Sequence, residues 1–363
     1  MSLDPRPELR DLEPAEHGGP DLTELKELGL SPDLVLDFST CLNPFGPPPE
    51  WRKALRSLSV GFYPDSDSTE LRLRLASKLG LSPAQILVGA GSVELLRLVA
   101  LTFLSLKDLV LVPQPTFEEY EMASRLAGAR VLRGRSREEE GFQFDVELLI
   151  YLLGRRRPKM IFLCNPNNPT GQYLKRQEVE TLLEASPESL LVLDEAYISF
   201  VRDPWSSLDL LNRGDVLILR SLTKDFSLAG VRLGYALASE EIISALHRVR
   251  PPWSVNVVAQ KLGLLALERD DWLERCRRRL WQEQAYLRRG ISRLGLWTLP
   301  SETHFFLVRV ERATQFRELL LRRGILVRDC TSFGLPDYIR LSPRLRPHNR
   351  RLLLALNELR KTP

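Results

Sequence analysis

Apolar and polar positions divide the chain into two textures. Between residues 86 and 219 short apolar runs recur at Ile86-Leu87-Val88, Leu109 to Val112, Val131-Leu132, Met160 to Leu163, Leu190 to Leu193 and Val216 to Leu219. Each is too short for a helix, and the stretches between them, such as Val93 to Leu104 and Gln177 to Glu184, have helical period. Short buried strands alternating with helices predict an α/β fold with a mostly parallel sheet covered on both faces. After Pro251-Pro252 the texture changes to long helical stretches, Val257 to Leu267 and Asp271 to Leu294. A smaller α/β unit follows, with strands expected at Phe305 to Val310, Ile325 to Arg328 and Tyr338 to Leu341, and helices at Thr314 to Arg323 and Pro347 to Leu359. Ahead of the large unit, Asp21 to Leu28 reads as a short helix that Asp21 can cap. Leu34 to Phe38 is a further apolar run, and the proline-rich loop Asn43 to Pro49 excludes regular structure. The expected division is an N-terminal arm at 1–36 packing with the small unit, a large domain at 37–250 and a small domain at 251–363.

Composition narrows the class. A chain of 363 residues, 44% hydrophobic, can bury a core large enough for two domains. No apolar run approaches the ~20 residues that span a bilayer, and the acidic, proline-bearing start is unlike a signal peptide, so a cytoplasmic protein without a membrane partner is expected. Cys41, Cys164, Cys276 and Cys330 are scattered without metal-like spacing, which predicts free thiols and no metal. The net charge is only +4, with arginine clusters at 155–157, 277–279 and 322–323. They lie on helices rich in Leu and Glu without interleaved aromatics, which reads as solvated faces and no nucleic-acid surface.

In parallel sheets chemistry gathers beyond the carboxyl ends of the strands. Gly89-Ala90-Gly91-Ser92 opens a helix after the Ile86 strand, so backbone N–H groups, the Ser92 hydroxyl and the helix dipole form a candidate anion cradle. Phe117 follows the Leu109 strand and can present a flat apolar face. Asn168, in Asn165 to Gly171, offers an amide from a proline-fixed turn. Asp194 ends the Leu190 strand, where a buried carboxylate needs a cation, and Tyr197 adds a phenol three residues on. Lys224 closes Ser221-Leu222-Thr223-Lys224 after the Val216 strand. There its amine is desolvated, with lowered pKa and raised nucleophilicity, as a Schiff-base lysine requires.

Together these groups suit pyridoxal phosphate. Asp194 would hold the pyridine nitrogen, Asn168 and Tyr197 the ring hydroxyl, and Phe117 the ring face. Lys224 would bind the aldehyde carbon, with Ser221, Thr223, Ser92 and Arg232 on the phosphate.

The order and spacing of Asn168-Pro169-Thr170-Gly171, Asp194-Glu195-Ala196-Tyr197, Ser221 to Lys224 and Arg232 resemble the class I/II aminotransferases, pyridoxal-phosphate enzymes of fold type I. The resemblance runs over nearly the whole chain. It implies a homodimer with active sites at the interface, with Tyr63 reaching the partner's cofactor phosphate and Arg340 clamping the substrate's acidic group. Within that family the chain is similar to the branch holding histidinol-phosphate aminotransferase and threonine-phosphate decarboxylase. His17-Gly18-Gly19, Asp37-Phe38-Ser39, Pro252 to Asn256 and Val327 to Cys330 lean toward the decarboxylase. Arg328 is then a second cation for a phosphate-bearing amino substrate. His17 stands evenly between phosphate ligand and solvent-facing residue.

The leading expectation is therefore decarboxylation of L-threonine O-3-phosphate, with transamination of histidinol phosphate or another amino acid as the alternative. A non-catalytic regulator on this fold would carry a DNA-binding domain ahead of it. The segment before residue 37 is expected to be too short and too acidic for one.

Overall fold

The apolar runs become strands in the positions their patterning dictates. The computed structural model describes residues 4, 6–10 and 12–360. The remaining positions of the expected arm and C-terminal unit, 1–3, 5, 11 and 361–363, lie outside the described residues. The strands are β1 (Leu36–Asp37), β2 (Ile86–Gly89), β3 (Leu109–Gln114), β4 (Arg130–Arg135), β5 (Met160–Cys164), β6 (Leu190–Asp194), β7 (Val216–Ser221), β8 (Gly234–Leu237), β9 (Phe306–Arg309), β10 (Ile325–Leu326), β11 (Arg328–Asp329) and β12 (Tyr338–Leu341).

β2 to β8 form one sheet of seven strands in the order β2-β8-β7-β6-β5-β3-β4. The pairings from β7 through β4 are parallel, while β8 runs antiparallel to both β7 and β2. Side chains alternate between the faces as strand geometry requires. Ile161, Leu163, Leu191, Leu193, Val216 and Ile218 enter one core cluster. Met160, Phe162, Val192, Leu217 and Leu219 enter the other, under the Ser92–Phe103 helix. Removing one of these leucines, as in Leu193→Ala, costs about 2–5 kcal/mol in lost burial and cavity formation.

β8 escapes a reading by pattern because Gly234-Tyr235-Ala236-Leu237 is short and begins with glycine. The glycine has a packing reason: a Cβ there would lie 2.9 Å from Ser92 N and 3.1 Å from Gly91 C. The sheet thus accepts the amino end of the Ser92–Phe103 helix at van der Waals distance.

The smaller unit holds the antiparallel sheet β11-β12-β9 and the parallel pair β1-β10. The single strand expected at 325–328 is split, with Val327 between β10 and β11. The Leu22–Glu27 helix is capped by Asp21, whose Oδ1 accepts from Thr23 N at 2.8 Å and Glu24 N at 3.3 Å. Its Leu25 packs on Leu321 and Leu326, and Glu24 pairs with both terminal nitrogens of Arg317. Beyond residue 250 the chain continues through two helices. The Val257–Leu267 helix buries Ala259, Leu262 and Ala266 in the large sheet's cluster. The 24-residue Asp270–Arg293 helix then carries Leu287 and Ile291 into the small unit's core.

Candidate active site

Strand order reverses between β3 and β5, which is where a doubly covered sheet opens a crevice beyond its carboxyl ends. A cavity of about 420 Å³ lies there. Its walls bring together Ser92, Phe117, Asn168, Asp194, Tyr197, Lys224 and Arg232 from the large unit, Arg328 and Arg340 from the small one, and His17 from the arm.

Lys224 sits in a single helical turn, Leu222–Asp225, directly after β7. Burial, and then the nearby Arg232 guanidinium, lower its pKa, so the amine is held closer to its neutral, nucleophilic form. Its Nζ stands 5.9 Å from the centre of the Tyr197 ring. The turn is pinned from the other side by Asn43, whose backbone N–H donates to Lys224 O at 3.0 Å and whose amide donates to Asp225 O at 2.9 Å. Asp194, at the end of β6, is raised in pKa by burial. Two donors oppose that shift: Tyr120 Oη at 2.8 Å from Oδ2 and Ala196 N at 2.9 Å from Oδ1. Tyr120 and Asn43 were not selected by sequence reasoning. The signal for Tyr120 was its spacing of three from Phe117 at the start of a helix, which places both beside the β3 end.

Of the four residues expected to form the anion cradle, Ser92 lines the cavity. Ala90 N donates to Glu94 Oε2 at 2.6 Å and Gly91 N to Gly89 O at 2.8 Å. The Gly89 N–H is a strand residue's. Gly89, Ala90 and Gly91 do not line the cavity, whereas Ser92 and Val93, with the first free N–H groups of the helix, do. Gly91 serves instead by having no side chain: at φ +88° its Cβ would fall 2.6 Å from Arg232 Nη2. Ser221 and Thr223 are buried behind the wall with their hydroxyls hydrogen-bonded to one another. Tyr63 is outside the cavity, 77% exposed, with its ring stacked on Trp253 at 4.4 Å.

Arg328 and Arg340 are paired residues of β11 and β12, and both are buried. Arg340 donates to Asn168 Oδ1 and to Ser39 O, the latter at 2.6 Å. His17 lines the cavity with its Nε2 3.1 Å from Glu119 Oε1. The glycines beside it let the arm cross the Ser39 loop closely: a Cβ on Gly18 would lie 2.6 Å from Ser39 O, and Gly19 N donates to Ser39 Oγ at 2.8 Å.

The sequence pattern of the family described as "Aminotransferase class I and II" matches residues 34–355. The chain belongs to that family. The histidinol-phosphate aminotransferase of Symbiobacterium thermophilum is 38% identical over 356 residues, covering 97% of each chain. That of an Anaeromyxobacter species is 35% identical, covering 97% of this chain and 98% of the relative. Among solved structures, the histidinol-phosphate aminotransferase of Sinorhizobium meliloti in complex with pyridoxal-5'-phosphate superposes with a TM-score of 0.89 at 24% identity, over 100% of this chain and 99% of that one. The L-threonine-O-3-phosphate decarboxylase of Porphyromonas gingivalis gives 0.80 at 27% identity, over 90% and 99%.

The protein is thus a pyridoxal-phosphate-dependent enzyme, and the cavity fits the group. A buried amine of lowered pKa, a buried carboxylate and a guanidinium lying where any Cβ on Gly91 would intrude are complementary to an aldehyde, a ring nitrogen and a phosphate. Among the described residues no helix is long and apolar enough to cross a membrane.

Proposed function

We propose that the protein transfers the amino group of histidinol phosphate to a 2-oxo acid. The observation that carries this reading is the 38% identity, over 97% of both chains, to a relative named histidinol-phosphate aminotransferase. It reverses the order of the two expectations drawn from sequence, because the stretches that leaned toward decarboxylation contain no residue unique to that reaction.

Lys224 would bind the cofactor's aldehyde carbon, Asp194 its ring nitrogen, and Arg232 with Ser92 its phosphate. Asn168 and Tyr197 would hold the ring hydroxyl, and Phe117 would cover a ring face. When bound, pyridoxal phosphate supplies an electron sink for the bond that breaks at the substrate's Cα. Lys224 Nζ would take the substrate's Cα proton and hold it within the cavity; its lowered pKa suits that task near neutral pH. Arg340 and Arg328 orient the substrate by its acidic groups and so choose which Cα bond is broken. They serve a phosphate in one half-reaction and the carboxylates of the amino acceptor in the other. Exposed Tyr63, beside exposed Val60 and Phe62, supports a homodimer in which this face meets a second copy.

The 27% identity to a threonine-phosphate decarboxylase keeps a second reading in play. One assay separates them. Purified enzyme given histidinol phosphate and 2-oxoglutarate should turn over continuously and release glutamate. Sustained carbon dioxide release from threonine phosphate without any oxo acid would overturn the transferase assignment.

A further inference from the structure

Arg328 and Arg340 face one cavity from paired positions, yet they are not equivalent. Among the described residues Arg340 pairs with no carboxylate; the oxygens it donates to belong to Asn168 and Ser39. Arg328 is already neutralised. Its Nη1 donates to Glu16 Oε2 at 3.1 Å, and its Nη2 donates to Glu16 O at 3.1 Å and Ser332 Oγ at 2.7 Å. The Glu118 carboxylate stands 3.8 Å away.

The Arg328–Glu16 pair is lopsided. The Arg328 side chain is 6% exposed and that of Glu16 65%. A buried guanidinium cannot give up its counter-charge without a replacement, whereas an exposed carboxylate loses little by turning into water. The backbone of the arm need not follow. Glu16 N is held by Glu118 Oε2 at 3.0 Å, and Gly18 and Gly19 are seated on Ser39. The side chain of Glu16 can therefore leave Arg328 while its neighbours stay in place.

Resting on the reading that this cavity takes a phosphate-bearing substrate, we propose that the Glu16 carboxylate is an internal competitor for Arg328, displaced by the substrate's acidic group. An internal ligand lowers the apparent affinity of every anion by the same factor. A singly charged group then needs further contacts elsewhere in the cavity to reach useful occupancy, while a phosphate, with a charge of about −1.5 to −2 and three acceptor oxygens, binds at Arg328 more readily. Glu16 thereby sets the threshold an acidic group must pass, and it keeps Arg328 neutralised between turnovers.

Calorimetric titration of the holoenzyme with inorganic phosphate tests this, the cofactor filling its own phosphate cradle. Glu16→Gln should bind phosphate about fivefold to tenfold more tightly than the wild type, the size of one partly exposed ion pair. Glu13→Gln makes the same charge change in the neighbouring cleft at a residue that, among the described residues, forms no ion pair with Arg328, and should bind as the wild type does. In an Arg328→Gln background the gain from Glu16→Gln should vanish; if that variant does not fold, the Glu13→Gln comparison decides. An unchanged affinity in Glu16→Gln, or an equal gain in Glu13→Gln, would overturn the proposal. Failure of the substrate assignment looks different: neither protein would turn over histidinol phosphate, and the gain in phosphate binding would remain.

Discussion

Tyr120 donates its phenol hydrogen to Asp194 Oδ2 at 2.8 Å, with both side chains buried and 74 residues apart in sequence. The Tyr120 ring is fixed independently by stacking on Phe162 at 5.3 Å, so the phenol is a rigid donor that helps keep a buried carboxylate ionised. Tyr120→Phe keeps the stacking and removes the donor. Asp194 should then rise further in pKa and, in its proposed place at the ring nitrogen, would hold a protonated ring less well. A hydrogen bond to a charged group is worth about 1.5–3 kcal/mol, so the cofactor's dissociation constant should increase roughly tenfold or more. Absorbance titration of the apoenzyme measures it, and an unchanged constant would remove Tyr120 from the site's support.

Gly91→Ala probes the cradle. The added Cβ meets Arg232 Nη2 at 2.6 Å and must adopt φ +88°, which L side chains rarely do. Arg232 would be pushed from its present position, the one proposed to meet the phosphate, while Lys224 and Asp194 stay in place. The expected outcome is weaker cofactor binding, with destabilisation of about 1–3 kcal/mol. In Gly154→Ala, at a glycine with open space around it and no positive φ, neither quantity should fall. Equal behaviour of the two variants in thermal melts and cofactor titration would show that the Gly91 contact carries no strain.

How much could be read from the chain follows from how each residue reaches the cavity. Lys224, Asp194 and Asn168 are each within a few positions of the end of an apolar run. Once those runs are strands of one parallel sheet, their last residues must converge on one edge. Arg328 and Arg340 needed the resemblance to a family, since nothing in their local patterning says that β11 and β12 face Lys224. Tyr120, Asn43 and Glu16 were hidden because they arrive through tertiary crossings of the chain. The close approach of Arg232 to Gly91 and of Leu95 to Gly89 was not legible either, because glycines that admit a ligand and glycines that admit a neighbouring side chain look alike in sequence.

His304 and Asp225 give the protein two opposed responses to pH. His304 is fully buried beside Phe200, at 4.1 Å between ring centres, and burial lowers its pKa to about 3. Unfolded, it binds a proton below about pH 6.5, so from there down to about 3 the unfolded state holds more protons and stability falls with acid. Asp225 is raised by burial to about 7, against Ser199, Lys224, Arg220 and Arg277, which lower it. Its ordinary value is near 3.9, so between about 4 and 7 the folded state holds more protons and stability falls as pH rises. Each slope is up to about 1.4 kcal/mol per pH unit, and between pH 4.5 and 6.5 they offset one another. Single substitutions should expose them. Relative to the wild type, His304→Gln should lose about 2 kcal/mol of stability on going from pH 4.5 to 6.5, and Asp225→Asn should gain a similar amount. Urea midpoints at the two pH values measure both differences, and pH profiles running parallel to the wild type's in both variants would show that neither group titrates in the folded protein as its burial requires.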